Sequence, residues 1–196
     1  AASQGGGGTR TIALTQGPGR VVSPVAIFPD DVRTTDKVAL LQRVDDTARG
    51  ADGAIVQVSA SYADSRKRMI VANTDGVLVG DEQVRTLLRV SAVANGDTGM
   101  QTGFQSAGHT MGFELFDTID VDELAREAAR IAVTKLRARP APSGAMPVVI
   151  KRGSGGVLFH EACGHGLEAD LVAKGGSVYR GKQGELVASP LVTLVD

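Results

Sequence analysis

Apolar residues fall into two periodicities along the chain, and the change between them outlines the elements. Thr34 or Thr35 is expected to cap a helix running to about Arg49, along which Val38, Leu41, Val44 and Ala48 recur at helical spacing, and Gly50 and Gly53 close the segment. From Ala54 the period becomes two. Residues 55–62 read as a strand, 68–73 as its partner, Asp75-Gly76 as a hairpin turn, and 77–79 as the next strand. Longer strands are expected over 84–95 and 100–106, with Asn95-Gly96-Asp97 turning between them. The helical period returns at Asp120-x-x-Glu123, a helix start, followed by Leu124, Ala128, Ile131 and Leu136 up to about Ala138.

The run Pro140-Ala141-Pro142-Ser143-Gly144 is the clearest boundary. It divides an α/β amino-terminal domain, 1–139, from a linker over 140–147 and the start of a second domain over 148–196. Within the first, 1–8 is a glycine-rich loop and 1–33 as a whole is irregular, broken by Pro18, Pro24 and Pro29. In the second, 148–151 is expected as a strand, then a short helix, a loop over 175–184, and a strand over 186–196 with Pro190 at an edge or bulge. The fold class is α+β: an antiparallel β-meander packed with helices, followed by the start of a second, mainly β domain.

Composition narrows the function classes. With 42% hydrophobic residues the chain can bury a sizeable core, and its net charge of −1 gives no bulk attraction to nucleic acid or a membrane surface. Aromatic residues make up 4% and tryptophan is missing, which argues against a stacking platform for single strands. No apolar run approaches the roughly 18 residues of a membrane span. Cys163 is the one cysteine, so no internal disulfide calls for an oxidising compartment. Cytoplasm is the default location.

The candidate chemistry sits in the short helix of the second domain. His160-Glu161-Ala162-Cys163-Gly164-His165 holds two of the chain's three histidines and a carboxylate, entered through Gly153-Ser154-Gly155-Gly156. Neutral imidazole is a common zinc ligand, and a neighbouring carboxylate can take a proton from an activated water. The spacing is HExxxH. Residues i and i+4 lie about 40° apart on a regular helix, but i and i+5 lie about 140° apart. One wide turn with i→i+5 bonding would reunite the rings, and Gly164 and Gly166 have the backbone freedom to permit it. A metal site therefore requires an irregular helix. Two other readings use the same residues: a hydrogen-bonded histidine pair, and an anion site at a helix start.

The run from Val157 to Asp170, Val157-Leu158-Phe159-His160-Glu161-Ala162-Cys163-Gly164-His165-Gly166-Leu167-Glu168-Ala169-Asp170, resembles the signature of the TldD/PmbA family of metallopeptidases, on the TldD side. Lys37–Leu41, Ile70–Gly76, Pro140–Gly144 and Val187–Leu191 resemble further blocks of these proteins in the same order, so the likeness runs from about residue 35 to the end. It implies that His160 and His165 bind Zn2+, that Glu161 is the general base, and that 148–196 begins a metallopeptidase domain. It also implies a cysteine ligand well downstream, unstructured peptides as substrates, and a TldE/PmbA-like partner subunit or a homo-oligomer. Paralogues of the PmbA type lack the HExxxH residues, which assigns this chain to the catalytic branch.

The chain departs from the family pattern by starting at Ala1 and ending at Asp196, before that cysteine. It is expected to be an internal piece of a longer protein, with a truncated second domain and an incomplete, inactive site by itself. Cys163, about 60° round the helix from His160, reads as packing, since free cysteine behaves as a small hydrophobe. His109 could come from the sheet as a third ligand or stay an exposed loop residue. Glu168 could be a ligand, hold an imidazole by its other nitrogen, or form a local salt bridge; Asp170 is the alternative holder. The basic loop with Lys174, Arg180 and Lys182 either clamps substrate or is simply solvated. The expected reaction is metal-assisted peptide hydrolysis. The competing class is a non-catalytic subunit that shapes a peptide channel, and nucleic-acid modulation, raised by the family's association with DNA gyrase, ranks last.

Overall fold

A computed structural model describes residues 12–17, 24–151, 153 and 155–194. The expected loop over 1–8, residues 9–11 and 18–23 of the irregular stretch, Ser154, and the end of the last expected strand lie outside the described residues. The chain forms two compact units, residues 1–140 and 141–196.

The first unit is α+β. Strand β1 (Thr15–Gln16) and a 3-10 turn (Pro29–Asp31) precede helix α1 (Thr34–Gly50). Strands β2 (Ile55–Ala72), β3 (Val77–Gly96) and β4 (Gly99–His109) follow, then the short α2 (Leu115–Thr118) and α3 (Val121–Leu136). β3 is central. It pairs antiparallel with β2 along one edge, and the other edge takes β4 antiparallel and β1 parallel.

Two of the expected strands are longer than the pattern suggested. Segments 55–62 and 68–72 are one continuous strand, with Asn73 just past its end, and 77–79 and 84–95 are another. The interruption was one of composition. Asp64, Arg66, Lys67 and Arg68 break the apolar alternation, yet they sit in a hairpin whose charges pair across the strands. Arg68 stands opposite Glu82 in register, with its Nε 2.8 Å from the carboxylate, and Arg66 bonds the same carboxylate.

Strict alternation puts Val84, Thr86, Leu88, Val90, Ala92 and Ala94 of β3 on one buried face. α1 and α3 cover it, with Val44 and Ala48 from the first helix and Val121, Ala125, Ala128, Ala129 and Ala132 from the second. Two corrections concern these helices. α1 starts without a capping hydroxyl: Arg33 is the N-cap, and its guanidinium pairs with Asp36 at 2.8 Å. Val38, expected inside, is 44% exposed. The start of α3 is as expected, since Asp120 accepts from Asp122 N and Glu123 N at 3.0 Å each. Its fully buried stripe consists of alanines, while Leu124, Ile131 and Leu136 are half-buried at the margins.

That stripe of small residues permits close packing, and Gly103 of β4 completes it. A Cβ at Gly103 would overlap the Ala128 carbonyl oxygen and stand 2.6 Å from Ala132 N. The helix backbone therefore lies directly on the strand. Lys135 Nζ donates to Thr102 O at 2.8 Å, and Thr98 Oγ1 donates to Leu136 O at 2.9 Å, tying its last turn down.

The second unit contains short helices and turns: α4 (Gly155–Phe159), a π turn (His160–Gly164), a 3-10 turn (His165–Leu167) and α5 (Ala169–Lys174). The strands expected over 148–151 and 186–196 are not formed among its described residues. An extended segment becomes a strand only by pairing, and no described segment of this unit pairs with either. Their apolar side chains stay in solvent, with Val149 at 97% and Leu191 at 94% exposure.

Candidate metal centre

The motif helix starts regularly and then widens. His165 N bonds to His160 O, the i→i+5 contact that the HExxxH spacing demands, across a π turn spanning His160–Gly164. Gly164 sits inside that turn with His160 Nδ1 beside it; a Cβ there would lie 3.7 Å from that nitrogen. The turn brings the two imidazoles together, with ring centroids 4.3 Å apart and planes inclined at 71°.

Glu161 joins them. Its Oε2 lies 3.5 Å from His165 Nε2, and one ligand atom from each of His160, Glu161 and His165 falls within 4.8 Å of the others. Two ligand atoms in a tetrahedral zinc shell are about 3.4 Å apart. The donor set is thus near binding separation, and rotations of exposed side chains suffice to close it. Two imidazole nitrogens suit the borderline-soft character of zinc, and the Glu161 carboxylate stands beside them where a base would be needed. All three side chains face solvent, as an open site requires.

The rest of the expected set divides clearly. Glu168 Oε1 lies 2.9 Å from His165 Nδ1, so this carboxylate holds the ring by the nitrogen opposite the cluster. The hydrogen bond to Glu168, its charge, and to a lesser degree the charge of Glu161 push His165 above the ordinary histidine value, against slight desolvation. Asp170 takes Lys174 as its partner at 2.9 Å. Cys163 Sγ donates to Phe159 O at 3.1 Å, back along its own helix, and is not one of the clustered ligands. His109 is the last residue of β4, opposite Thr86 in the first unit.

Sequence reasoning missed Ser177, and it gave Tyr179, beside Arg180 in the basic loop, no structural role. The Ser177 hydroxyl donates to the carbonyl of Gly166, and Tyr179 N donates back to Ser177 Oγ at 3.0 Å. The loop after α5 is therefore bonded to the residue that follows His165. The only signal in the sequence was the pair Gly175-Gly176, which stops a helix and reverses the chain.

The solvent-open His-Glu-His cluster on a π turn is a group of side chains that could hold a metal ion. Comparison with known proteins agrees. The model of the PmbA/TldA metallopeptidase central domain matches residues 28–136, and that of the PmbA/TldA metallopeptidase C-terminal domain matches 143–196. The chain belongs to the PmbA/TldD metallopeptidase family. It is 38% identical over 168 residues to a metalloprotease of Methanothermobacter thermautotrophicus, covering 86% of this chain and 37% of that protein. It is also 38% identical over 186 residues to a metalloprotease TldD homolog of Haemophilus influenzae, covering 90% and 39%. The chain thus spans about two fifths of the length of these relatives. A candidate modulator of DNA gyrase from Thermotoga maritima shares the fold, with a TM-score of 0.73 at 20% identity over 90% of this chain and 40% of that one.

Proposed function

We propose that the chain forms the metal-bearing part of a zinc-dependent peptidase that hydrolyses unstructured peptides, and that His160 and His165 are zinc ligands with Glu161 as general base. The observation that carries this is the π turn, which brings both imidazoles and the Glu161 carboxylate to one side of an exposed helix. The metalloprotease names of the relatives support the reaction class.

When bound, the zinc supplies a Lewis acid that acidifies a water and polarises the scissile carbonyl. The chain's own residues do the remainder. Glu168 accepts a hydrogen bond from His165 Nδ1–H, which holds the proton on that nitrogen and leaves the Nε2 lone pair directed at the cluster. Glu161, close to that nitrogen, takes a proton from the attacking water and returns it to the leaving amine. That the substrates are unstructured peptides follows from the family likeness alone. By family likeness the enzyme acts with a PmbA-like partner subunit or as a homo-oligomer. A cytoplasmic location is compatible with the absence, among the described residues, of any helix long and apolar enough to cross a membrane.

The test is Glu161→Gln in the native protein. Hydrolysis of an unstructured fluorogenic peptide should fall by at least about 100-fold, with zinc content unchanged by elemental analysis, whereas His160→Ala should lose the zinc. Undiminished hydrolysis in Glu161→Gln would remove that residue from the base role.

A further inference from the structure

The metal motif has little to hold it in shape. α4 is five residues long, well below the length at which a helix persists by itself, and no residue of α4, the π turn or the following 3-10 turn is buried. Convergence of His160 and His165 must therefore be maintained by contacts from outside the turn.

Such contacts come from the loop after α5. That helix ends at Gly175, whose φ of 80° only glycine adopts readily, and Gly175 N and Gly176 N return bonds to Val172 O at 3.2 Å and Leu171 O at 2.9 Å. These paired bonds reverse the chain. Ser177 then reaches back eleven residues, donating to the Gly166 carbonyl while its oxygen accepts from Tyr179 N. The Tyr179 ring lies against the same residue: a Cβ on Gly166 would come within 2.9 Å of Tyr179 Cε2 and 3.2 Å of Cδ2. One glycine, adjacent to His165, thus receives a hydrogen bond to its carbonyl and an aromatic ring on its open face. Glu168 fixes the His165 ring, and this second set of contacts fixes the His165 backbone.

We propose that Ser177 and Tyr179 form a clasp on Gly166 that positions His165 for metal binding; this rests on the metal-centre reading above. Both are positioning residues and touch no reacting group.

Cobalt(II) is the probe, added to the native protein and read by titration and by its visible absorption, which reports ligand geometry. Ser177→Ala and Tyr179→Ala should weaken cobalt binding by about 10- to 100-fold and alter the visible band. Ser177→Thr and Tyr179→Phe, which keep the hydroxyl and the ring, should restore both, with circular dichroism unchanged throughout. Native affinity and spectrum in Ser177→Ala and Tyr179→Ala, with binding lost in His160→Ala, would overturn the clasp and leave the metal centre standing. Equal binding by native protein and His160→Ala, or binding by neither, would overturn the metal centre and the clasp with it. Should Ser177→Ala unfold, Gly166→Ala decides: its methyl group displaces the ring while leaving every hydrogen-bonding group in place, and native cobalt affinity there overturns the clasp.

Discussion

Gly103→Ala is the most demanding single test of the first unit, because the added methyl group has nowhere to go. Its Cβ would overlap Ala128 O and approach Ala132 N to 2.6 Å, where ordinary contact begins at 3.4 Å. Both obstacles are helix backbone, so no side-chain rotation relieves them. α3 must lift from β4 by about 1 Å, a gap that forfeits between a quarter and a half of the dispersion energy across the contact. The lift also stretches the bonds from Lys135 to Thr102 and from Thr98 to Leu136, now 2.8 and 2.9 Å. Overpacking of this kind costs about 1–3 kcal/mol, and rigid backbone on both sides puts Gly103→Ala at the upper end. For a unit of this size about 3 kcal/mol lowers the melting temperature by roughly 10–20 °C. Gly50→Ala is the control. It lies in the last turn of α1 with nothing within 4 Å of its Cβ position, and its melting temperature should be unchanged or slightly raised. Calorimetry of the two variants decides. A Gly103→Ala protein melting within about 2 °C of the parent would show that the helix does not rest on the glycine.

Two further outcomes follow from polar groups in the same unit. The Tyr62 hydroxyl is buried and meets no hydrogen-bond partner among the described residues. Removing an unpartnered group relieves its desolvation, so Tyr62→Phe should be neutral or stabilising by up to about 1 kcal/mol in urea unfolding; a loss of that size would reveal a partner. Asp122 is held below the ordinary carboxylate range by its hydrogen bonds to Arg43, against some burial, and Glu82 is held down to about 2 by Arg66 and then Arg68. A depressed folded value means stability that is present above the unfolded value and lost as pH falls through the folded one. Urea midpoints should therefore decline as pH falls below the ordinary carboxylate values of 3.8 and 4.5, and the decline should be shallower in Asp122→Asn and Glu82→Gln. An unaltered slope in both variants would contradict the pairing.

Much of this was legible along the chain, for reasons that differ by residue. The wide turn followed from arithmetic: histidines five apart cannot meet on a regular helix, so a site made of them had to include one i→i+5 bond. Asp120 was legible because a side-chain cap is a local interaction spanning three residues. The continuity of β2 was not, because its charged stretch is satisfied by Glu82 on another strand, and alternation says nothing about cross-strand pairing. The core face of α3 was misjudged toward Leu124, Ile131 and Leu136, since counting large apolar residues ignores how closely a helix can approach a strand carrying glycine. Ser177 left no trace because its partner is a backbone carbonyl, which every residue possesses.

The π turn has a specific consequence for how the three motif residues are shared between binding and proton transfer. Glu161 and His165 are four apart, about 40° on a regular helix, and would share a face without any distortion. His160 is the outlier, about 140° from His165. The wide turn therefore recruits His160 to a face that Glu161 and His165 already define, and the observed 4.3 Å between ring centroids measures its success. Glu161 lies inside the wide turn and stands 3.5 Å from His165 Nε2, while Glu168, three residues beyond His165, takes the other ring nitrogen at 2.9 Å. On the proposed roles, one irregular turn thus serves both metal ligation and base placement. Both depend on that turn and on what steadies its downstream end, which the proposed clasp places at Gly166, outside the motif itself.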